Sequence, residues 1–222
     1  QRRRAELKKQ KEDTRTRAVE TFLRQLYPEG HPNSIPSLDD QIIAIEKVTT
    51  EDLMSFHEDY YGLGSMKVSF IGEVDHSTIE HEIHRRFRAW KQTSVAIEQK
   101  VDLVAKTVER ALLETVHVPD KTSADLVTGH GIGIHRDHKD YYSVMMSQFI
   151  LGGNFSARLM ATIRDQEGLT YGIQSATGGV EEGNDGYWYI WGTFGPDVLE
   201  TAKESISREL CLWYEKGVTL DE

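Results

Sequence analysis

Between Leu151 and Gly179 the chain reads LGGNFSARLMATIRDQEGLTYGIQSATGG, and this stretch constrains the fold more than any other because its apolar period changes partway through. Gly152-Gly153-Asn154 ends one apolar helix and turns the chain. Ser156 stands where a helix cap is expected, and Leu159, Met160 and Ile163 share one face of the helix that follows. Gly168 stops that helix. From Tyr171 the period becomes two, with Tyr171, Ile173 and Ser175 on one side and Gly172, Gln174 and Ala176 on the other, which predicts a strand over 170–178. A helix that turns at a glycine into a strand can bring Arg164 and Tyr171 to one surface.

Other segments place this unit in a larger frame. A helix is expected from Glu6 to Leu26, ending at Tyr27-Pro28, and a short one from Asp39 to Ile45. Thr49 or Thr50 caps the next helix, with Asp52 completing a capping box. MKVSFI, Met66 to Ile71, reads as a strand, and Asp75 caps a helix that ends near Trp90 and buries Ile79, Ile83, Phe87 and Trp90. Polar residues then dominate, so that residues 1–92 form one lobe, 93–105 a linker and 106–222 a second lobe. In the second lobe, strands are expected over Arg110–Val118, Asp125–Ile134, Thr170–Gly178 and Gly186–Gly195. Helices are expected over Asp140–Leu151, around Arg164, and from Pro196 to Gly217. Strands interrupted by paired helices predict an α+β fold, a two-layer sandwich whose antiparallel sheet carries helices on one face. The aromatic run Tyr187–Trp191 is then core packing rather than a ligand box.

Charge excludes some function classes. Residues 1–17 hold eight Lys/Arg against three Asp/Glu, a net +5, which leaves 18 basic and 33 acidic residues, a net −15, for the remainder. No aromatic residue interleaves the basic segment, and an acidic remainder does not suit a phosphate backbone, so nucleic acid is not an expected partner. No apolar run approaches the roughly 20 residues of a membrane helix. The single cysteine, Cys211, cannot form an internal disulfide and reads as helix packing. Gly152-Gly153 lacks the surroundings of a phosphate loop. The chain begins within a helical pattern and ends at Asp221-Glu222 without a terminus signal, so it reads as a fragment.

Taken with LYPEGHPNSIPS (Leu26–Ser37) and VTTEDLMSFHEDYYGLGSMKVSFIGEVD (Val48–Asp75), the glycine turn and the R-x6-Y element resemble the pitrilysin/insulinase zinc peptidases, or inverzincins, over almost the whole chain. The resemblance is to the segment called their inactive domain. It implies a ferredoxin-like, mitochondrial-processing-peptidase-like metallohydrolase fold whose first lobe lacks its opening strands. It further implies that Arg164 and Tyr171 reach across a closed chamber to a peptide or unfolded-polypeptide substrate. Tyr171 would serve there as the transition-state donor and Arg164 as a substrate-binding group. The zinc would belong to another half, in the same chain or a partner subunit. A second implied reading is a non-catalytic subunit of the same fold, as among respiratory-complex core proteins. A periplasmic or secreted location is compatible with the resemblance.

Inverzincins bind zinc through H-x-x-E-H on a helix, where two histidines one turn apart flank a glutamate base. Neither that motif nor H-E-x-x-H occurs in the 222 residues. His76–His81 is one residue too long, and His81–His84 one too short. His81 and His84 also fall opposite the apolar stripe of their helix, toward solvent. His31 lies in a stiff Gly-His-Pro turn, His57 on a helix, His117 and His130 on separate expected strands, and His135 and His138 in a polar loop. None defines a metal centre. Glu6 would be a zinc ligand only if this were the zinc half, and on its charged helix it reads as a solvated side chain.

Overall fold

A computed structural model describes residues 1–91, 105, 111–181 and 183–222 and divides the chain into two compact units, one of 1–43 with 101–222 and one of 44–100. The expected linker lies outside the described residues except for Ala105.

In the larger unit the expected helix over 6–26 is two helices, α1 (Arg2–Gln10) and α2 (Thr14–Leu26). The break falls at Asp13, whose side chain accepts from the Thr16 N–H at 2.7 Å and starts α2 afresh. Next comes α3 (Leu38–Lys47), which belongs to this unit as far as Ile43 and whose first turn is met by Glu20. That carboxylate is 4% exposed, pairs with Arg17 at 3.1 Å and accepts from the Leu38 N–H at 3.1 Å. Strand β1 (Ala124–Gly131), helix α6 (Tyr141–Gly152), a π-helix over Met160–Gln166, strands β2 (Thr170–Gly178) and β3 (Tyr187–Phe194), and helix α7 (Leu199–Lys216) complete the unit. The sheet is antiparallel with order β1-β3-β2, pairing Val127 with Trp191 and Ser175 with Ile190.

One sheet face presents Ile173, Ile190 and Phe194, which pack against Leu151 of α6, Leu159, Met160 and Ile163 around the π-helix, and Ala202 and Ile206 of α7. Leu159, Ile163 and Ile190 are fully buried, and each such side chain contributes about 1.5–3 kcal/mol over leaving it in water. Trp188 also lies against this core and donates its indole N–H to the buried Ser175 hydroxyl at 2.8 Å. Alternate residues of β3 serve the opposite face, where α2 lies. Phe22 and Tyr27 meet the Tyr187 ring edge to face, and the Arg15 guanidinium sits 3.5 Å over Trp191. The aromatic run is therefore packing on both faces, and α2 adds a helix on the side where none was expected.

The Gly-His-Pro turn is part of this packing. His31 stacks on Tyr27 at 4.2 Å, and the Tyr27 hydroxyl donates to the Asp185 carbonyl at 2.7 Å. Asn33 donates to the Gly179 carbonyl at 3.0 Å, tying the turn to the β2–β3 connection. Burial pushes the Tyr27 phenol up.

Residues 111–118 make no ladder among the described residues, although their alternation predicts a strand; Arg110 lies outside them. The same holds for Met66–Ile71 in the smaller unit, where Ile71 is 99% exposed. Alternation states which residues a strand would present, but a strand exists only where a second backbone takes its hydrogen bonds.

The smaller unit contains α4 (Thr50–Tyr60) and α5 (His76–Phe87). Thr49 and Asp52 form the expected capping box, and Asp75 caps α5 by accepting from the Thr78 N–H at 2.7 Å. Three hydrogen bonds to Asp75, from the Ser77 hydroxyl first and then the Thr78 hydroxyl and amide, hold its carboxyl at about 2. Ile79, Ile83 and Phe87 are half-buried and Trp90 exposed, so the expected burial of the α5 stripe is partial.

Candidate functional site

Arg164 and Tyr171 stand on two departures from regular backbone. Arg164 lies in the last turn of the π-helix, where the Glu167 N–H reaches back five residues to the Thr162 carbonyl at 3.0 Å. Gly168 then turns the chain at φ +66°, a left-handed conformation that costs little without a Cβ. Tyr171 is the second residue of β2, inside a bulge where the pairing with β3 shifts between Thr170 and Ile173. Thr170 braces the bulge: its hydroxyl accepts from the Gly172 N–H at 3.1 Å and contacts the Thr193 carbonyl across the ladder. Such wide turns and bulges re-aim side chains that a regular helix or strand would send elsewhere.

The outcome is a close pair. The Arg164 guanidinium carbon lies 5.6 Å from the Tyr171 ring centroid, and one of its nitrogens stands 3.8 Å from Asp165. Tyr171 is 91% exposed, so it is not a packed strand residue. A third side chain, which the sequence reading did not single out, joins them: the Phe155 ring centroid is 5.8 Å from the same guanidinium carbon. Its signal in the sequence is a large apolar residue inside a turn otherwise made of Gly, Asn and Ser. The helix cap expected of Ser156 is not made; instead the Asn154 side chain accepts from the Ser156 N–H at 2.8 Å.

Arg158 fixes the entrance of this segment. Its guanidinium forks onto Glu222 at 2.5 and 2.6 Å, donates to the Gly217 carbonyl at 2.8 Å, and lies 4.6 Å over the Trp213 ring. The Arg158 hydrogen bond, above all, holds the Glu222 carboxyl at about 2.

Chemically, a guanidinium beside an exposed phenol offers a planar fork of donors and one hydroxyl donor on a single surface, which suits the carbonyl oxygens of an extended peptide. A metal does not fit the same residues, since neither side chain is a customary zinc ligand. Glu6, on α1, gives its carboxylate to Arg2 at 3.1 Å and Arg3 at 3.6 Å. His135 and His138 approach at 6.2 Å, but among the described residues no three His, Cys, Asp or Glu side chains gather as a metal-holding group.

The fold has solved counterparts. A peptidase M16 inactive domain from Pseudomonas fluorescens superposes with a TM-score of 0.78 at 23% identity, covering 98% of this chain and 50% of that one. A protease from Helicobacter pylori superposes with a TM-score of 0.67 at 15% identity, covering 98% and 54%. These likenesses define the class of the fold, a mixed α+β domain with an antiparallel sheet. A family model described as the peptidase M16 inactive domain matches residues 47–222. The chain belongs to that family, as its inactive domain. Among relatives, the uncharacterized zinc protease YmxG of Bacillus subtilis is 24% identical over 174 residues, and an uncharacterized zinc protease of Rickettsia felis is 26% identical over 172. Each alignment covers 78% of this chain and 40% of the relative, so the match takes in less than half of the length of either of these two relatives.

Proposed function

We propose that this domain is the substrate-binding half of a zinc metallopeptidase and acts on peptides held between it and a half that carries H-x-x-E-H and the zinc. The single observation that supports this reading most is the exposed Tyr171 beside the Arg164 guanidinium, 5.6 Å apart on backbone that departs from regular geometry at both residues. A bound zinc supplies the activated water and the Lewis acid. The residues of this chain orient the substrate and meet the charge that develops on it. Arg164 takes the carbonyl oxygens of an extended substrate and fixes its direction. As negative charge grows on the scissile carbonyl oxygen, the Tyr171 hydroxyl donates to it, a contact stronger in the transition state than in the ground state.

The test is Tyr171→Phe in the full polypeptide or complex that contains the zinc-bearing half, with an unstructured peptide as substrate. Removing one such donor lowers kcat about 100-fold, with thermal stability and zinc content unchanged. A kcat within twofold of the parent would refute the assignment.

A further inference from the structure

Phe155 has more in common with the grip than proximity. The Arg164 guanidinium is flanked by two exposed rings, that of Tyr171 and that of Phe155, the latter 78% exposed. Single exposed apolar side chains are ordinary on protein surfaces. Phe155 differs from them in its mounting. The Asn154 side chain accepts from the Ser156 N–H at 2.8 Å and donates to the Phe149 carbonyl at 3.3 Å, while the Gly153 N–H reaches the same carbonyl at 2.8 Å. The Ala157 N–H closes the turn on the Asn154 carbonyl at 3.2 Å. The backbone on both sides of Phe155 is therefore tied down, and the ring is presented to solvent from a stiff turn at the edge of the Arg–Tyr pair.

The geometry points to Phe155 as the specificity-determining wall of this site, a surface that selects an apolar side chain, aromatic or branched aliphatic, on the bound peptide; the inference rests on the substrate-binding reading of Arg164 and Tyr171. An extended peptide advances roughly 3.3 Å per residue, so a carbonyl held by Arg164 leaves a neighbouring side chain within reach of the Phe155 ring. An apolar side chain there removes its own surface and the ring's from water. A lysine or arginine at that position meets the Arg164 charge and is disfavoured. A serine covers too little of the ring to gain from it.

The experiment uses the full polypeptide or complex with its zinc-bearing half and one unstructured peptide scaffold in which each position flanking the cleaved bond is varied among Leu, Phe, Ser and Lys. The parent is expected to favour Leu or Phe over Ser at one position by about tenfold in kcat/KM, the scale set by a small apolar contact, and to disfavour Lys. In Phe155→Ala that preference falls to near unity, carried by KM, while turnover of the Ser peptide is unchanged; Phe155→Leu retains most of it. Tyr171→Phe lowers kcat for all peptides alike and leaves the preference intact. The inference is overturned if the parent shows no such preference, or if Phe155→Ala leaves the preference intact. It is also overturned if Phe155→Ala slows all peptides equally, which would place the ring against the zinc-bearing half instead of the substrate. An unaffected Tyr171→Phe would bring down only the underlying assignment of the phenol, because the Phe155 ratio is read independently of it.

Discussion

Gly152→Ala tests how closely the helix layer is set against the strand that carries Tyr171. Gly152 is the last residue of α6 and is buried. A Cβ built there would lie 2.6 Å from the Ser175 backbone nitrogen, 2.8 Å from the Ser175 Cβ and 3.1 Å from a Leu159 methyl, whereas ordinary contact begins near 3.4 Å. The methyl therefore stands about 0.8 Å inside contact with backbone that cannot yield freely, because Ser175 is paired with Ile190 in the ladder and its hydroxyl accepts from Trp188. Overpacking of this kind costs about 1–3 kcal/mol. The alanine recovers less than about 1 kcal/mol of helix propensity, since the site is the helix terminus. A net loss of about 1–2 kcal/mol lowers Tm by roughly 2–8 °C in a chain of this size. The assay is urea unfolding followed by tryptophan fluorescence, with Gly172→Ala as the matched control. At Gly172 an added Cβ meets nothing within 4 Å, so that variant unfolds within about 0.5 kcal/mol of the parent. If Gly152→Ala proves as stable as Gly172→Ala, the close approach of α6 to β2 does not constrain the chain as argued.

Two further variants probe the supports of the site. Ile163→Ala, at a fully buried position next to Arg164, is expected to lose about 2–5 kcal/mol through lost transfer energy and a residual cavity; a shift in the urea midpoint worth less than 1 kcal/mol would refute the core placement. Glu222→Gln removes the fork from Arg158. A carboxyl held at about 2 in the folded chain against 4.5 unfolded contributes stability present above pH 4.5 and lost as pH falls toward 2. Because solvent screens a pair at the protein surface, the parent should exceed the variant by roughly 1–2 kcal/mol at pH 7, less than the shift alone implies, and the gap should close between pH 5 and 2. A gap independent of pH over that range would rule the linkage out.

Legibility of the fold in the sequence depended on what each element needs from elsewhere. Strand β2 lies at 170–178 as read, because one alternating run bounded by a glycine turn states both its period and its start. The Thr49–Asp52 capping box was equally plain, since its partners are three residues apart. Met66–Ile71 and 111–118 carry similar alternation without a ladder, because pairing is a property of two segments and the pattern belongs to one. The break between α1 and α2 rests on Asp13 competing as a cap within an otherwise helical run. At the site, the convergence of Arg164 and Tyr171 followed from their spacing and the glycine between them. Phe155 did not, since the guanidinium reaches its ring only through the wide turn after Met160 and the turn at Asn154, and neither has a residue code as clear as alternation.

Everything that forms the Phe155–Arg164–Tyr171 surface comes from one contiguous run of 17 residues. Sites assembled from remote segments inherit every hinge and insertion that separates those segments. Here the chain closes on itself over a very short span, and the entropy of bringing the groups together is correspondingly small. The surface behaves as a cassette: it can be inherited, lost or grafted as a unit. A change in residue count between Phe155 and Tyr171 disrupts it more surely than substitution of the residues between them.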